Sequence, residues 1–335
     1  MHTQINIRKA KAWQEAKLTA IKLIKTCFHP ECDKPAINSH ILQKNGILSE
    51  LEEDGHVFQM EINPFENDVH FFKQTGINKA FSFNCFCPTH DTELFSSIET
   101  TEIDFSIYRN ILLFTLRTKY NEKFRKLVTD RQQEILIEKH SDLFEAPHLL
   151  MINQQEKLGI KDIEKTEKII WHDLNTGDES FVFLVRDIKK IQICLSAFYN
   201  YETSYELGEY ARINGKDKEN VSDIFISVFP YKQKTKFMMG YKKRDEKTVK
   251  QYVNSIFKES ENRLLSKLTN LLLFQCETWV TSKNFYNNRI KKCEKYFSYA
   301  TDFSNANDNE RVLFQINLFK ENFCKQMKQW KINNA

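Results

Sequence analysis

The chain is poor in the two residues that most often interrupt regular structure. Its 335 residues include only 8 Gly and 6 Pro, so positions with a left-handed backbone and tight turns are scarce. This scarcity argues against a glycine-rich phosphate-binding loop and against a β-sandwich with many short turns. We therefore expect helices to dominate the fold.

Long apolar runs are also missing. The most apolar stretches, at residues 111–114 and 271–274, are far shorter than the ~20 residues that cross a bilayer. The first residues carry several lysines and one arginine without a following apolar segment, which is not the pattern of a secretory signal. We expect a cytoplasmic protein with two or three packed units.

Cysteine, in contrast, is frequent, and half of the eight cysteines lie near histidines in the first third of the chain. Cys27 and Cys32 form one pair, and Cys87 is followed three residues later by His90. Such spacings place two ligands on each of two short turns, which is typical of a tetrahedral zinc site. We predict that these four side chains bind one structural Zn²⁺.

Three neighbouring side chains are alternative ligands, namely His29, His40 and Cys85. Only one residue separates Cys85 from Cys87, a spacing that is too short for both thiolates to bind one metal from the usual ligand turn. A further alternative is a hydrolase that uses Cys85 as its nucleophile with a nearby histidine. The other four cysteines are scattered singly and are predicted to be unreactive.

The order of these residues resembles that of the HNH, or His-Me finger, nucleases, especially the zinc-bound recombination-endonuclease subgroup. In that family a first Cys pair precedes an acid-His or His-His dipeptide, and a second pair is followed directly by an oxygen ligand on the opening helix. Here the dipeptide is Ser39-His40, and Asp91 follows the second pair. The resemblance implies an N-terminal treble-clef or ββα-metal module.

The resemblance also implies a chemistry. His40 would be the general base that activates water, and Asp91 would help to hold a catalytic Mg²⁺ or Mn²⁺ against the scissile phosphate. The chain departs from the pattern at Ser39, where the family has a metal-binding acid or histidine, and Glu93 or His56 would have to compensate. Stand-alone bacterial proteins of such build resemble effectors of anti-phage defence, so we expect a role of that kind.

Charge is distributed unevenly along the chain, although the formal net charge is only +4. Residues 50–105 contain twelve acidic residues against two lysines, whereas residues 231–295 contain sixteen Lys and Arg against six acidic residues. DNA or RNA would bind mainly to the second segment, because clustered cations release the counterions condensed on phosphates. Alternatively, these cations form a solvated surface that pairs with the acidic segment.

Hydrophobic spacing predicts a helix-rich α+β fold. Helical periodicity is found at residues 5–26, 88–98, 104–142, 147–168, 247–274 and 310–332. Strand-like segments are found at residues 57–62, 169–171, 180–185, 191–198, 224–228 and 236–241. We predict a zinc-binding module at 1–103, a helical linker or hairpin at 104–168, and a basic α+β domain at 169–335 with an antiparallel sheet of four or five strands and C-terminal helices.

Two functions are compatible with the sequence. The first is a metal-dependent nuclease of the HNH type. The second is a non-enzymatic recognition protein, such as a sensor or adaptor of a defence system, in which zinc stabilises a docking surface. In this second interpretation Trp279, near the basic cluster, would anchor a protein partner. The two functions differ in whether His40 and Asp91 perform chemistry.

Overall fold

The computed structural model describes residues 4–65, 70–200, 222–300 and 316–334. The fold is α+β and rich in helix, as the sequence predicts. Its contacts divide the chain into two compact units. The first unit comprises residues 1–41, 62–69 and 82–178, and the second comprises residues 42–61, 70–81 and 179–335.

The regular elements follow the chain in this order. They are α1 (Gln4–Leu23), β1 (Asn38–His40), β2 (His56–Ile62), β3 (His70–Gly76), β4 (Ser82–Asn84), α2 (Pro88–Phe95), α3 (Tyr108–Lys139), α4 (Ala146–Thr176), β5 (Phe181–Lys189), β6 (Ile193–Asn200), β7 (Asp223–Tyr231), β8 (Lys234–Lys242), α5 (Glu246–Phe257), α6 (Glu261–Phe274), β9 (Trp279–Thr281) and α7 (Phe323–Asn334). Short helical turns occupy residues 283–293 between β9 and a further helical stretch at 295–300.

Three long helices form the frame of the first unit. Helices α3 and α4 make the hairpin that the sequence predicts, and α1 packs against α3. Ala12, Ala16 and Ala20 are buried at intervals of four residues along α1, which gives this helix a narrow apolar face for close approach. None of the helices in the described ranges combines the length and the apolar character needed to cross a bilayer.

The strand predicted at residues 169–171 is wrong, because α4 continues through this run. Ile170 is fully buried, and the indole Nε1 of Trp171 donates a hydrogen bond of 2.8 Å to the Tyr120 hydroxyl on α3. Packing between the two helices therefore overrides the β-propensity of a short isoleucine-rich run.

The second unit is built on an antiparallel sheet that is wider than expected. In the described residues its strand order is β3-β2-β9-β6-β7-β8-β5, whereas the sequence predicts four or five strands. The strands predicted at residues 180–185, 191–198, 224–228 and 236–241 are confirmed as β5 to β8. Strand β9 was not predicted. Strands β2 and β3 come from the segment that the sequence assigns to the zinc module. Helices α5 and α6 pack on this sheet, and together they enclose the main apolar core.

Trp279 lies inside that core rather than on the surface. Its side chain is 1% exposed, and its ring centroid is 5.0 Å from that of Phe72 and 6.3 Å from that of Phe297. A side chain enclosed in this way does not contact a partner, so the prediction that Trp279 anchors an interface is wrong.

The C-terminal helix begins later than its periodicity predicts. Residues 310–315 of the predicted helix lie outside the described residues, and residues 316–322 are not helical. The Asn317 side chain accepts a hydrogen bond of 2.9 Å from the backbone N–H of Phe319. Such a local bond competes with the helical pattern, and α7 starts only at Phe323.

The close packing of β5 against β8 leaves no room for a side chain at Gly240. This residue lies on β8 directly opposite Phe183 on β5, and a Cβ at Gly240 would be 2.5 Å from the Phe183 ring. We predict that Gly240→Ala lowers the free energy of unfolding by about 1–3 kcal/mol, because the ring has to move. Urea unfolding of the full chain measures this change.

The control is a double-mutant cycle with Phe183→Ala. Once the ring is removed, the added methyl group at Gly240 should cost much less than in the parent protein. An equal cost in both backgrounds would show that the ring is not the cause.

Candidate metal centre

The first ligand turn connects α1 to β1. Cys27 and Cys32 flank this turn, in which the backbone N–H of Cys32 donates to the carbonyl of His29 at 3.2 Å. Glu31 has a φ of +62°, a left-handed conformation that tightens the turn at some cost for a residue with a side chain. The base of the turn is closed by a bond of 2.9 Å from Cys27 N–H to Lys34 carbonyl. The two cysteines are thereby brought together.

The second ligand turn opens α2. Cys87 is the N-cap residue of this helix, Pro88 is its first residue, and the Cys87 carbonyl accepts from Asp91 N–H at 2.9 Å. Proline is favoured at this position because its fixed φ suits a helix and its missing N–H is not needed there. The first helical turn then places the His90 imidazole beside the Cys87 thiol, with their Nδ1 and Sγ atoms 3.5 Å apart.

A small sheet connects the two turns. Strand β1 pairs with β4, and the ladder is extended by a bond of 2.7 Å from Ile37 N–H to Phe86 carbonyl and by one of 2.9 Å from Phe28 N–H to Cys85 carbonyl. The first turn is therefore hydrogen-bonded to the residues that immediately precede the second. This is why ligands that are distant in sequence share one site.

The four predicted ligands converge as the sequence predicts. One ligand atom each from Cys27, Cys32, Cys87 and His90 lies within 4.8 Å of all the others. The Cys27 Sγ atom is 3.5 Å from His90 Nδ1. In a tetrahedral site with Zn–S of ~2.3 Å and Zn–N of ~2.0 Å, sulfur and nitrogen donors lie roughly 3.5 Å apart. The chain thus has a Cys3His cluster whose donors and spacing fit a metal such as zinc.

The surroundings of the cluster favour the metal-binding form of two ligands. The backbone N–H of His90 lowers the pKa of Cys87, and burial, with a smaller effect of His29, lowers the pKa of His90. Thiolate and neutral imidazole are the forms that bind a metal. Burial, in contrast, raises the pKa of Cys27 to about 11. Its thiolate is thus costly in this site without a neighbouring cation.

Aromatic contacts hold the cluster against the helical hairpin. The His29 ring stacks on His90 with centroids 3.7 Å apart, and it meets the edge of Trp171 on α4 at 4.9 Å. Phe28 stacks on Tyr120 of α3 at 5.3 Å. His29 is therefore placed as a packing partner of the ligand His90, and the cluster of four ligands does not include it.

Cys85 does not fit either alternative that the sequence left open. Its side chain is 0% exposed, and burial raises the pKa of its thiol well above the ordinary value. A buried neutral thiol is a poor nucleophile, and the cluster of four ligands does not include Cys85. Its place between the two turns makes Cys85 a core residue of the first unit.

Asp91 belongs to a largely buried polar network. Its Oδ1 atom accepts a hydrogen bond of 2.8 Å from the Ser39 hydroxyl and lies 3.6 Å from Nη2 of Arg117. Arg117 is 2% exposed, forms an ion pair of 2.5 Å with Glu99, and lies 3.8 Å from the centroid of the Phe95 ring. The carboxylate that the resemblance assigns to a catalytic cation thus contacts a buried guanidinium.

Sequence reasoning did not identify Arg117 as a site residue. It stands among other basic residues of a long helix, and no local motif connects it to Asp91. The only available signal was its position within the apolar run of α3, where an arginine is unusual because a buried charge requires a partner.

The predicted general base lies on the same strand as Ser39. His40 is the last residue of β1, and successive side chains of a strand leave opposite faces. Ser39 is accordingly the member of the dipeptide whose side chain reaches Asp91. Of the two compensating candidates, Glu93 is exposed on α2 and His56 lies on β2 of the second unit. The structure therefore unites the four metal ligands and pairs Asp91 with Ser39 and Arg117.

Comparison of the chain with models of known protein families, with curated proteins and with solved structures found no match. The resemblance to HNH nucleases rests on the residues and spacings given above.

The cluster makes a direct prediction about metal content. The purified protein should contain about one zinc per chain, and Cys87→Ser or His90→Ala should lose most of it, since three ligands hold zinc less tightly than four. Metal analysis measures this content, and thermal unfolding with and without a chelator measures its effect on stability. Cys324→Ser, which alters a half-buried cysteine of the second unit, is the control and should retain the metal. Equal zinc content in all variants would contradict the assignment.

The network around Asp91 makes a second prediction. Asp91→Ala should lower the free energy of unfolding of the zinc-loaded protein by about 1–3 kcal/mol, because Ser39 and Arg117 each lose a partner in a buried setting. Glu93→Ala, on the exposed side of the same helix, should change it by less than about 0.5 kcal/mol. Denaturant unfolding compares the two variants, and equal effects would rule out a structural role for Asp91.

Proposed function

We propose that the chain is a zinc-stabilised recognition protein rather than a hydrolase. The observation that carries this proposal is the contact between Asp91 and the buried guanidinium of Arg117. A nuclease of the HNH type needs this carboxylate to bind a divalent cation. Here the carboxylate already lies next to the positive charge of Arg117.

Several contacts keep the guanidinium in place. Arginine stays protonated at all ordinary pH values, and Arg117 is held by Glu99 and by the face of Phe95. A magnesium ion bound to Asp91 at ~2.1 Å would lie close to this guanidinium, and like charges repel strongly where water is excluded. Ser39 adds a neutral hydroxyl at the position where the family has a second metal ligand. Both features argue against a catalytic cation.

The composition of the cluster supports the same proposal. Four protein ligands complete a tetrahedral zinc site, whereas catalytic zinc sites keep one position for water or substrate. A bound zinc would therefore contribute to folding by joining the two ligand turns. The chemistry of the cluster gives no reason to assign a reaction to it.

The second unit supplies the charge for an anionic partner. Most Lys and Arg side chains of residues 231–295 are exposed. At least nine of the sixteen form ion pairs, mostly with acidic residues outside the segment 50–105, whereas Lys283 pairs with Asp54 of that segment. Pairing with the acidic segment thus accounts for only part of the positive charge, which favours nucleic acid as the partner. A sensor or adaptor role in anti-phage defence stays a prediction from the sequence.

A metal-dependent nuclease is the second candidate, and the order of elements favours it. Strand β1 with His40, strand β4, and helix α2 with Asp91 surround the cluster in the order that the ββα-metal resemblance implies. The two candidates therefore share the same scaffold and differ in the chemistry of Asp91.

A cleavage assay separates these candidates. The zinc-loaded protein should leave plasmid DNA and RNA intact in Mg²⁺ or Mn²⁺, and His40→Ala and Asp91→Ala should behave like the parent protein. His148→Ala, which alters an exposed histidine on α4, controls for contaminating nucleases. Cleavage that persists in His148→Ala and disappears in both His40→Ala and Asp91→Ala would overturn the proposal and establish the nuclease.

A further inference from the structure

A cavity of about 280 Å³ opens in the second unit, beside the connection between β5 and β6. Lys189, Lys190 and Gln192 line it from this connection, Asn284, Phe285, Asn288 and Arg289 from the helical turns after β9, and Phe319 from the segment before α7. The lining thus combines cations, carboxamides and two aromatic rings. Its volume is near the lower end of the range of about 300–1,000 Å³ for small-molecule sites.

The cations give the cavity a positive balance. Lys190 is paired with Glu50 at 2.5 Å, and Arg289 lies 4.0 Å from Glu321, a side chain that is 92% exposed. Within the described residues no carboxylate lies at ion-pair distance from the ammonium group of Lys189. Lysine and arginine in this arrangement favour a phosphate group as ligand.

The aromatic rings offer an apolar surface in the same cavity. The centroids of Phe285 and Phe319 are 5.8 Å apart, the rings are inclined by 49°, and both side chains are half-buried. Inorganic anions gain no binding energy from such a surface. A nucleobase does gain binding energy, because every base has a flat face that stacks on aromatic side chains.

The carboxamides are oriented by hydrogen bonds. Asn288 Nδ2 donates to Asn284 Oδ1 at 2.6 Å, and the Ser282 hydroxyl donates to Gln192 Oε1 at 2.5 Å. These bonds use the carbonyl oxygens of Asn284 and Gln192 and leave their NH₂ groups as donors. Amide donors of this kind can bond to the acceptor atoms at the edges of nucleobases.

An unusual backbone conformation supports a binding role. Residues Tyr286–Ile290 form a π-helical turn, which carries both Asn288 and Arg289. Such turns are rare and are found frequently at functional sites. This observation is independent of the charge and composition of the cavity.

We propose that this cavity binds one nucleotide unit, with its phosphate at Lys189 and Arg289 and its base against Phe285 and Phe319. The inference rests on the proposed recognition function only for the chemical class of the partner. The cavity lies entirely in the second unit and its test measures binding, so an outcome that establishes a nuclease would leave this inference standing.

Titration of the full-length, zinc-loaded protein tests the inference. The probes are the four ribonucleoside 5′-monophosphates, inorganic phosphate, a labelled single-stranded oligonucleotide and the corresponding duplex, at constant ionic strength. We expect at least one mononucleotide to bind at least tenfold more tightly than inorganic phosphate. Arg289→Gln and Phe319→Leu should each weaken that binding about tenfold or more, since one removes a phosphate contact and the other removes a stacking surface.

Matched controls come from the same helical segment. Lys291→Gln and Lys292→Gln alter exposed lysines that do not line the cavity, and they should change mononucleotide affinity by less than about twofold. Zinc content and circular dichroism confirm that each variant is folded. If the single-stranded oligonucleotide competes with the mononucleotide, the site binds nucleic acid. If it does not compete, the site binds a free nucleotide. Both outcomes support nucleotide binding in the cavity.

Three results would overturn the inference. They are no mononucleotide binding at millimolar concentration, equal affinity for inorganic phosphate and nucleotides, and equal losses in Arg289→Gln and Lys291→Gln. The first two would exclude a nucleotide site, and the third would reduce the effect to general surface charge.

Discussion

The convergence of two distant ligand turns is the constraint on which the first unit depends. Cys27 and Cys32 precede β1, while Cys87 and His90 open α2. The pairing of β1 with β4 and the backbone bonds that extend it bring the four together. Zinc binding by such a cluster is worth about 10–16 kcal/mol in small domains, comparable to the whole stability of a typical protein. The same strand pairing places Ser39 against Asp91, so the metal ligands and the polar network depend on one local scaffold.

The guanidinium of Arg117 next to Asp91 distinguishes this site from the one that the nuclease resemblance implies. The carboxylate, the strand and the helix occupy the order that the nuclease resemblance implies, yet the positive charge next to Asp91 is supplied by Arg117. This fixed charge lies at the carboxylate that a nuclease of the HNH type would need for its divalent cation. The two units therefore have separate roles in the functions proposed above. Metal binding by the Cys3His cluster would stabilise the first unit, and the cationic cavity of the second would bind the nucleotide.

The sequence predicts what depends on short-range patterns. Ligand spacing identified the Cys3His cluster because each pair of ligands occupies one turn, and helical periodicity identified the α3–α4 hairpin. Long-range packing was not predictable in this way. The composition of residues 169–171 predicts a strand, and only their contacts with α3 explain why they are helical. The pair of Asp91 with Arg117 connects two elements that share no sequence motif. Strands β2 and β3, at one end of the sheet, likewise join strands that lie far along the chain.

Zinc K-edge X-ray absorption of the purified protein tests the central claim most directly. The account predicts one metal with three sulfur ligands at ~2.3 Å and one imidazole nitrogen at ~2.0 Å, and the loss of one sulfur contribution in Cys32→Ser. A spectrum with only oxygen and nitrogen neighbours, or one that Cys32→Ser leaves unchanged, would contradict it.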